Sequence, residues 1–134
     1  MAKKLKSILL IDDDEPTNFF HKIMVNEADC TETLTVVTNG NKALDYLNDA
    51  YAGKHPVPEL IFLDINMPLM DGWEFLAAYE KLPMERRTKI IVIMLTTSIN
   101  PDDRDKAKQF PEILDFKNKP LSVEMLQEIV EANF

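Results

Sequence analysis

Short apolar runs that end in a polar side chain recur along this chain of 134 residues. The runs at residues 8–11, 60–63 and 90–95 are unbroken and rich in isoleucine, leucine and valine. Such runs are typical of strands buried on both faces of a parallel sheet. Residues 33–38 alternate more between apolar and polar side chains and predict an edge strand, and residues 113–117 predict a second, weaker edge strand.

Amphipathic segments that predict helices follow these runs. The predicted helix starts are Asp14, Asn39 or Gly40, Asp71, Asn100 and Ser122. Side chains of this kind are favoured there because their oxygens accept hydrogen bonds from the first free N–H groups of a helix. Phe19, Phe20, Ile23 and Met24 are expected to form the apolar face of the first helix. The third helix is expected to stop before Pro83.

The alternation of strands and helices predicts the α/β class. Five β-then-α units imply a parallel sheet with helices on both faces, and right-handed crossovers leave few topologies. The length fits one domain over residues 1–134. No output domain is expected, because the last predicted helix ends near Phe134.

Composition excludes several classes of protein. With 23 acidic and 15 basic residues, the formal charge is −8, which argues against nucleic-acid binding. Cys30 is the single cysteine, so neither an internal disulfide nor a paired-cysteine metal site can form. The longest apolar run, residues 90–95, is far shorter than the roughly 20 residues of a membrane span. At the N-terminus, the apolar run of residues 8–11 is followed by acidic residues rather than by the small residues of a signal peptide. We therefore expect a cytoplasmic protein without a membrane partner.

Polar residues with chemical uses stand at the ends of the predicted strands. The first strand ends in Asp12 and Asp13, the third in Asp64 and the fourth in Thr96, while Lys119 follows the fifth. In an open α/β sheet, ligands bind outside the carboxyl ends of the strands. These residues are therefore expected to converge on one edge of the sheet.

Three carboxylates in one cleft need a counter-ion. Two of them about 4 Å apart repel by roughly 4 kcal/mol at an effective dielectric constant of about 20. Oxygen ligands suit Mg²⁺, which commonly sits beside phosphate oxygens. Lys119 adds a charge that can pair with phosphate and Thr96 adds a hydroxyl donor, so the set predicts phosphoryl chemistry.

With these residues in view, the sequence resembles the receiver domain of two-component response regulators. The likeness rests on residues 8–14, 63–72 and 93–96 and on Lys119–Pro120, and it covers essentially the whole chain. The resemblance implies a flavodoxin-like, doubly wound sheet of five parallel strands in the order 2-1-3-4-5, with five helices.

The resemblance also implies a role for each matching residue. Asp64 would be the phosphoacceptor, taking a phosphoryl group from a histidine kinase or phosphotransfer protein. Asp13, Asp64 and the backbone carbonyl of Asn66 would hold Mg²⁺, or Mn²⁺ in its place, while Asp12 would act through a metal-bound water.

Three further residues match the switch of the family. Thr96 and Lys119 would each bind a phosphoryl oxygen, and Phe116 would rotate inward as Thr96 moves. The new charge would shift an equilibrium between two states of a surface that binds a downstream protein. Such a protein would be a monomer or weak dimer that catalyses at most its own phosphorylation and dephosphorylation.

The sequence departs from the family pattern at two places. Thr97 stands where the family usually has a small residue, and with Ser98 it is expected to narrow access to Asp64. Residues 111–113 replace the usual Gly-Ala before the fifth strand, so the end of the fourth helix is expected to be built differently.

Two other functions stay open at this point. Asp12 and Asp14 have the spacing of the acids in Mg²⁺-dependent phosphohydrolases that form an aspartyl phosphate, with Asp12 as nucleophile. A constitutive protein-binding module with a vestigial site is the other alternative. His21 is expected to be a surface or packing histidine rather than a phosphodonor.

Overall fold

The computed structural model describes residues 4–82, 90–97 and 99–134. In chain order the elements are β1 (Leu5–Ile11), α1 (Glu15–Ala28), β2 (Thr31–Val37), α2 (Gly40–Tyr51), β3 (Leu60–Asp64), α3 (Gly72–Tyr79), β4 (Ile91–Thr96), α4 (Pro101–Ala107), β5 (Ile113–Asn118) and α5 (Val123–Asn133). Pro83 and Ser98 lie outside the described residues.

The strands form one parallel sheet in the order β2-β1-β3-β4-β5. This order and the five helices of the described residues confirm the predicted flavodoxin-like fold. In register, Ile11 pairs with Leu63 and Asp64 pairs with Leu95. The carboxyl ends of β1, β3 and β4 therefore lie at one edge of the sheet.

Two apolar clusters cover the two faces of the sheet. Leu9 and Leu63 point to the face that α2 and α3 cover, with Phe75 among the buried residues there. Leu10 and Phe62 point to the opposite face, which α1 and α5 cover. Successive strand residues face opposite ways, so an unbroken apolar run fills both clusters.

Side-chain caps begin the helices as predicted. Asp14, Asn39, Asn100 and Ser122 each accept a hydrogen bond from a backbone N–H in the first turn of their helix. Asp71 forms a complete capping box with Glu74 at the start of α3.

The predicted apolar face of α1 was wrong at three of its four residues; Met24 is partly buried and packs against the apolar core, as predicted. Phe19 is 70% exposed, and Phe20 and Ile23 are each 40% exposed. The buried residues of this helix are Asn18, His21, Val25 and Ala28. The helix turns this way because Asn18 and His21 make hydrogen bonds to backbone groups of the neighbouring loops.

No helix within residues 4–82, 90–97 and 99–134 is long and apolar enough to cross a membrane.

Candidate functional site

Three carboxylates meet at the carboxyl edge of the sheet. Asp12 and Asp13 follow β1 directly, and Asp64 is the last residue of β3. One oxygen from each lies within 4.8 Å of the others. Asp12 and Asp64 are buried, whereas Asp13 is exposed. The cluster is thus a small acidic pocket that is open on the side of Asp13.

Backbone and helix contacts fix the position of Asp12. Its N–H donates to the carbonyl of Val37 at 3.2 Å, and its carboxylate accepts the N–H of Asp14 at 3.0 Å. Its carbonyl accepts a hydrogen bond of 2.8 Å from the side-chain amide of Asn18. Hydrogen bonds therefore fix both the backbone of Asp12 and one of its carboxylate oxygens.

Lys119 supplies the positive charge of the site. Its ammonium lies 2.6 Å from Asp12 Oδ2 and 3.2 Å from Asp64 Oδ1. Its backbone N–H donates to the carbonyl of Thr96 at 2.9 Å, and the peptide bond to Pro120 is cis. The β5–α5 loop therefore carries a cation into the acidic pocket from across the sheet.

Burial and charge act against each other on these groups. Burial and the negative charge of Asp12 raise the pKa of Asp64 to about 6, although Lys119 and the N–H of Asn66 oppose that rise. Burial works to lower the pKa of Lys119, yet the hydrogen bonds and charges of Asp12 and Asp64 hold that pKa above its ordinary value. Asp64 is thus ionised at neutral pH with Lys119 as its counter-charge.

The remaining predicted site residues lie around this pocket. Thr96 is the buried last residue of β4, and Thr97 beside it is exposed. The N–H of Asn66 approaches Asp64 Oδ1 at 3.4 Å. Phe116 is buried on β5 with its ring centroid 6.3 Å from that of Trp73, so it belongs to the core beside α3 rather than to the acidic cluster. Ser98 is outside the described residues.

The structure adds two residues that the sequence reasoning missed as part of the site. Asn18 and His21 are buried on α1 and contact the β1–α1 and β5–α5 loops. The sequence did contain a sign of this role. Asn18 and His21 are three residues apart, a spacing that places both polar side chains on the same helix face as Val25 and Ala28.

Comparison with known proteins gives the family. The model of the response regulator receiver domain matches residues 8–131. The chain belongs to the response regulator receiver family. Receiver domains generally serve two-component signalling rather than acting as dedicated enzymes, and they bind a divalent metal at an acidic pocket.

Relatives and solved structures agree with this assignment. The probable methanogenesis regulatory protein FilR2 of Methanothrix harundinacea is 33% identical over 92% of this chain and 78% of its own length. A two-component response regulator from Cytophaga hutchinsonii superimposes with a TM-score of 0.88 at 33% identity, over 97% of each chain.

Response regulator Rcp1 of Synechocystis sp. is 33% identical over 73% of this chain and 66% of its own length. Its Mn²⁺-bound form superimposes with a TM-score of 0.70 at 29% identity, over 95% of this chain and 90% of that one.

Proposed function

We propose that this chain accepts a phosphoryl group on Asp64 from the phosphohistidine of a histidine kinase or phosphotransfer protein. The observation that carries the proposal is the position of Asp64, a buried carboxylate in the acidic pocket with the Lys119 ammonium 3.2 Å away. An Asp64 oxygen forms the new bond to phosphorus while the bond to the imidazole nitrogen breaks, and that nitrogen keeps the bonding electron pair.

The donor set fits a hard divalent cation. Carboxylate oxygens of Asp12, Asp13 and Asp64 lie within 4.8 Å of one another, and oxygen ligands of this kind suit Mg²⁺ or Mn²⁺. Asp13, Asp64 and the backbone carbonyl of Asn66 are the proposed direct ligands, and Asp12 would contact the ion through a water molecule. When bound, the metal supplies positive charge against the oxygens of the incoming phosphoryl group.

Lys119 and Thr96 respond to the new group. Phosphorylation attaches a dianionic phosphoryl group to a carboxylate oxygen of Asp64, which is retained as the bridge to phosphorus. The Lys119 ammonium can then pair with one phosphoryl oxygen, and the Thr96 hydroxyl can donate to another. The change in these contacts biases the end of β4 and, through it, Phe116 on β5, whose ring lies beside Trp73 and Arg104. A downstream protein then binds one state more tightly than the other.

The contacts of the Asp12 carboxylate argue against the phosphohydrolase alternative. Asp12 has no exposed surface, and its two oxygens are occupied by the Asp14 N–H and by Lys119. A nucleophile needs a free oxygen in line with the phosphorus. Within the described residues, the contacts of Asp64 with Lys119 and with the Asn66 N–H both fall on its Oδ1, which favours Asp64.

The test is the intact mass after incubation with acetyl phosphate and Mg²⁺. We expect the gain of one phosphoryl group by the wild-type protein and no gain by Asp64→Asn or after metal chelation. Turnover of small phosphomonoesters that is lost in Asp12→Asn and kept in Asp64→Asn would favour the phosphohydrolase instead. If a folded wild-type protein neither gains mass nor binds beryllofluoride, which mimics the acyl phosphate, the phosphoacceptor function is wrong.

A further inference from the structure

His21 is a polar side chain in an apolar setting. It has no exposed surface and lies on the buried face of α1, which also carries Val25 and Ala28. Its Nε2 accepts the backbone N–H of Leu121 at 3.0 Å. Its Nδ1 has no hydrogen-bond partner within the described part of the chain. An unpaired buried polar atom is costly, so packing alone does not explain a histidine here.

The bond to Leu121 acts on the loop that carries Lys119. Leu121 lies two residues after Lys119 and is itself buried. Lys119 is tied on its other side, where its N–H donates to the Thr96 carbonyl. The short segment that presents the ammonium is thus fixed at both ends, by β4 and by α1.

One turn earlier on the same helix, Asn18 contacts Asp12, which forms an ion pair with Lys119. Its amide donates to the carbonyl of Asp12 at 2.8 Å. Residues three apart on a helix share a face. Asn18 and His21 therefore hydrogen-bond, from one face of α1, to the β1–α1 and β5–α5 loops, which meet in the Lys119–Asp12 contact of 2.6 Å. One face of α1 therefore contacts both loops.

We infer that His21 is a positioning residue: by accepting the Leu121 N–H, it holds the β5–α5 loop so that the Lys119 ammonium sits between Asp12 and Asp64. The expected effect of His21 on the rate of phosphoryl incorporation rests on the proposed phosphoacceptor function. Its effect on the position of the β5–α5 loop does not.

The chemistry of the ring agrees with this role. A histidine whose Nε2 accepts a hydrogen bond is neutral, with its proton on Nδ1. Burial lowers the pKa of His21, with Asp12 and Lys119 acting in opposite directions, so the accepting form persists at neutral pH. Leucine has a similar volume and no acceptor, whereas glutamine can place an amide oxygen near the position of Nε2.

The experiment compares the wild-type chain with His21→Leu, His21→Gln and Val25→Ala. Val25→Ala is the matched control, because it removes buried volume from the same helix face, and the alkyl side chain of Val25 makes no hydrogen bond to either loop. The first readout is the NMR spectrum of the metal-free proteins at Lys119 and Leu121, together with hydrogen exchange of the Leu121 amide. The second is the rate of phosphoryl incorporation from acetyl phosphate with Mg²⁺.

We expect His21→Leu to shift the Lys119 and Leu121 signals, to lose protection at the Leu121 amide and to react about ten- to a hundredfold more slowly, as misplaced groups do. His21→Gln should recover most of the rate, and Val25→Ala should be destabilised yet react at the wild-type rate.

Equal rates in His21→Leu and Val25→Ala would reduce His21 to a packing residue and overturn the inference. So would unchanged Lys119 signals in His21→Leu, whether or not the wild-type protein takes up phosphate. If the wild-type protein takes up no phosphoryl group, the proposed function is wrong. The NMR comparison would still decide whether His21 positions the β5–α5 loop.

Discussion

Asp64 is a carboxylate that the fold buries beside a second carboxylate. Its pKa of about 6 lies above the ordinary value of 3.8, so the folded state binds this proton more tightly than the unfolded state does. Between these two values the unfolded chain has already lost the proton while the folded chain still holds it. The contribution of Asp64 to stability therefore falls as the pH rises through this window.

Asp64→Asn should remove this pH-dependent loss of stability, because asparagine does not ionise. In metal-free buffer, we expect the free energy of unfolding of the wild-type protein to fall relative to Asp64→Asn between pH 4 and pH 7. The relative fall should be at most about 3 kcal/mol, since each pKa unit corresponds to about 1.4 kcal/mol. Urea unfolding at several pH values in the presence of a chelator measures it. Asp45→Asn, at an exposed position on α2, is the control, and parallel profiles for all three proteins would contradict the prediction.

At the scale of elements, α3 begins directly beneath the end of β3. The N–H of Gly72 donates to the carbonyl of Ile65 at 2.9 Å. A Cβ atom at Gly72 would lie 2.7 Å from the backbone oxygen of Asp64 and 3.2 Å from the Cα of Ile65. The close approach of helix and strand therefore requires glycine here, and the strand it touches carries the proposed phosphoacceptor.

Gly72→Ala should force the two backbones apart. We expect a loss of about 1–3 kcal/mol in unfolding free energy, as overpacking typically costs, and slower phosphoryl incorporation because Asp64 moves with the strand. Gly53→Ala is the comparison, since Gly53 has a φ of +87° but nothing within 4 Å of an added Cβ. It should lose stability through backbone strain alone and keep the wild-type rate. A normal rate in Gly72→Ala would show that α3 does not position Asp64.

Elements also differ in how far the sequence predicts them. The strands at residues 8–11 and 60–63 could be recognised because both faces of the sheet need apolar side chains, so the pattern is local. Helix starts such as Asp14 were equally local, since the capping side chain and its N–H partner lie three residues apart.

The buried face of α1 could not be recognised in this way. The buried Asn18 side chain hydrogen-bonds to Asp12, and the buried His21 side chain hydrogen-bonds to Leu121, which is 100 residues from it in the sequence. Local periodicity instead selected Phe19 and Phe20, which the fold leaves exposed. The meeting of Asp12, Asp13 and Asp64 was predictable from parallel topology, whereas the 2.6 Å contact of Lys119 with Asp12 depends on the path of the β5–α5 loop.

At the scale of the molecule, electrostatic repulsion is concentrated at the acidic pocket. The formal charge is −8, and three carboxylates share the pocket with Lys119 as the ammonium that contacts two of them in the described residues. One ammonium cannot neutralise three carboxylates. A divalent cation that binds the folded pocket better than the unfolded chain therefore raises the stability of the whole fold by mass action.

This coupling predicts that the unfolding midpoint rises with the Mg²⁺ concentration. At one hundred times the dissociation constant, the gain should be about 2.7 kcal/mol. Asp13→Asn is the informative variant, because Asp13 is the exposed member of the cluster and its loss leaves the Asp12–Lys119 contact in place. We expect this variant to need much more Mg²⁺ for the same gain. NaCl at matched ionic strength is the control, since screening of the net charge acts on both proteins alike. An equal response of the two proteins to Mg²⁺ would mean that the ion acts on the overall charge and not at the pocket.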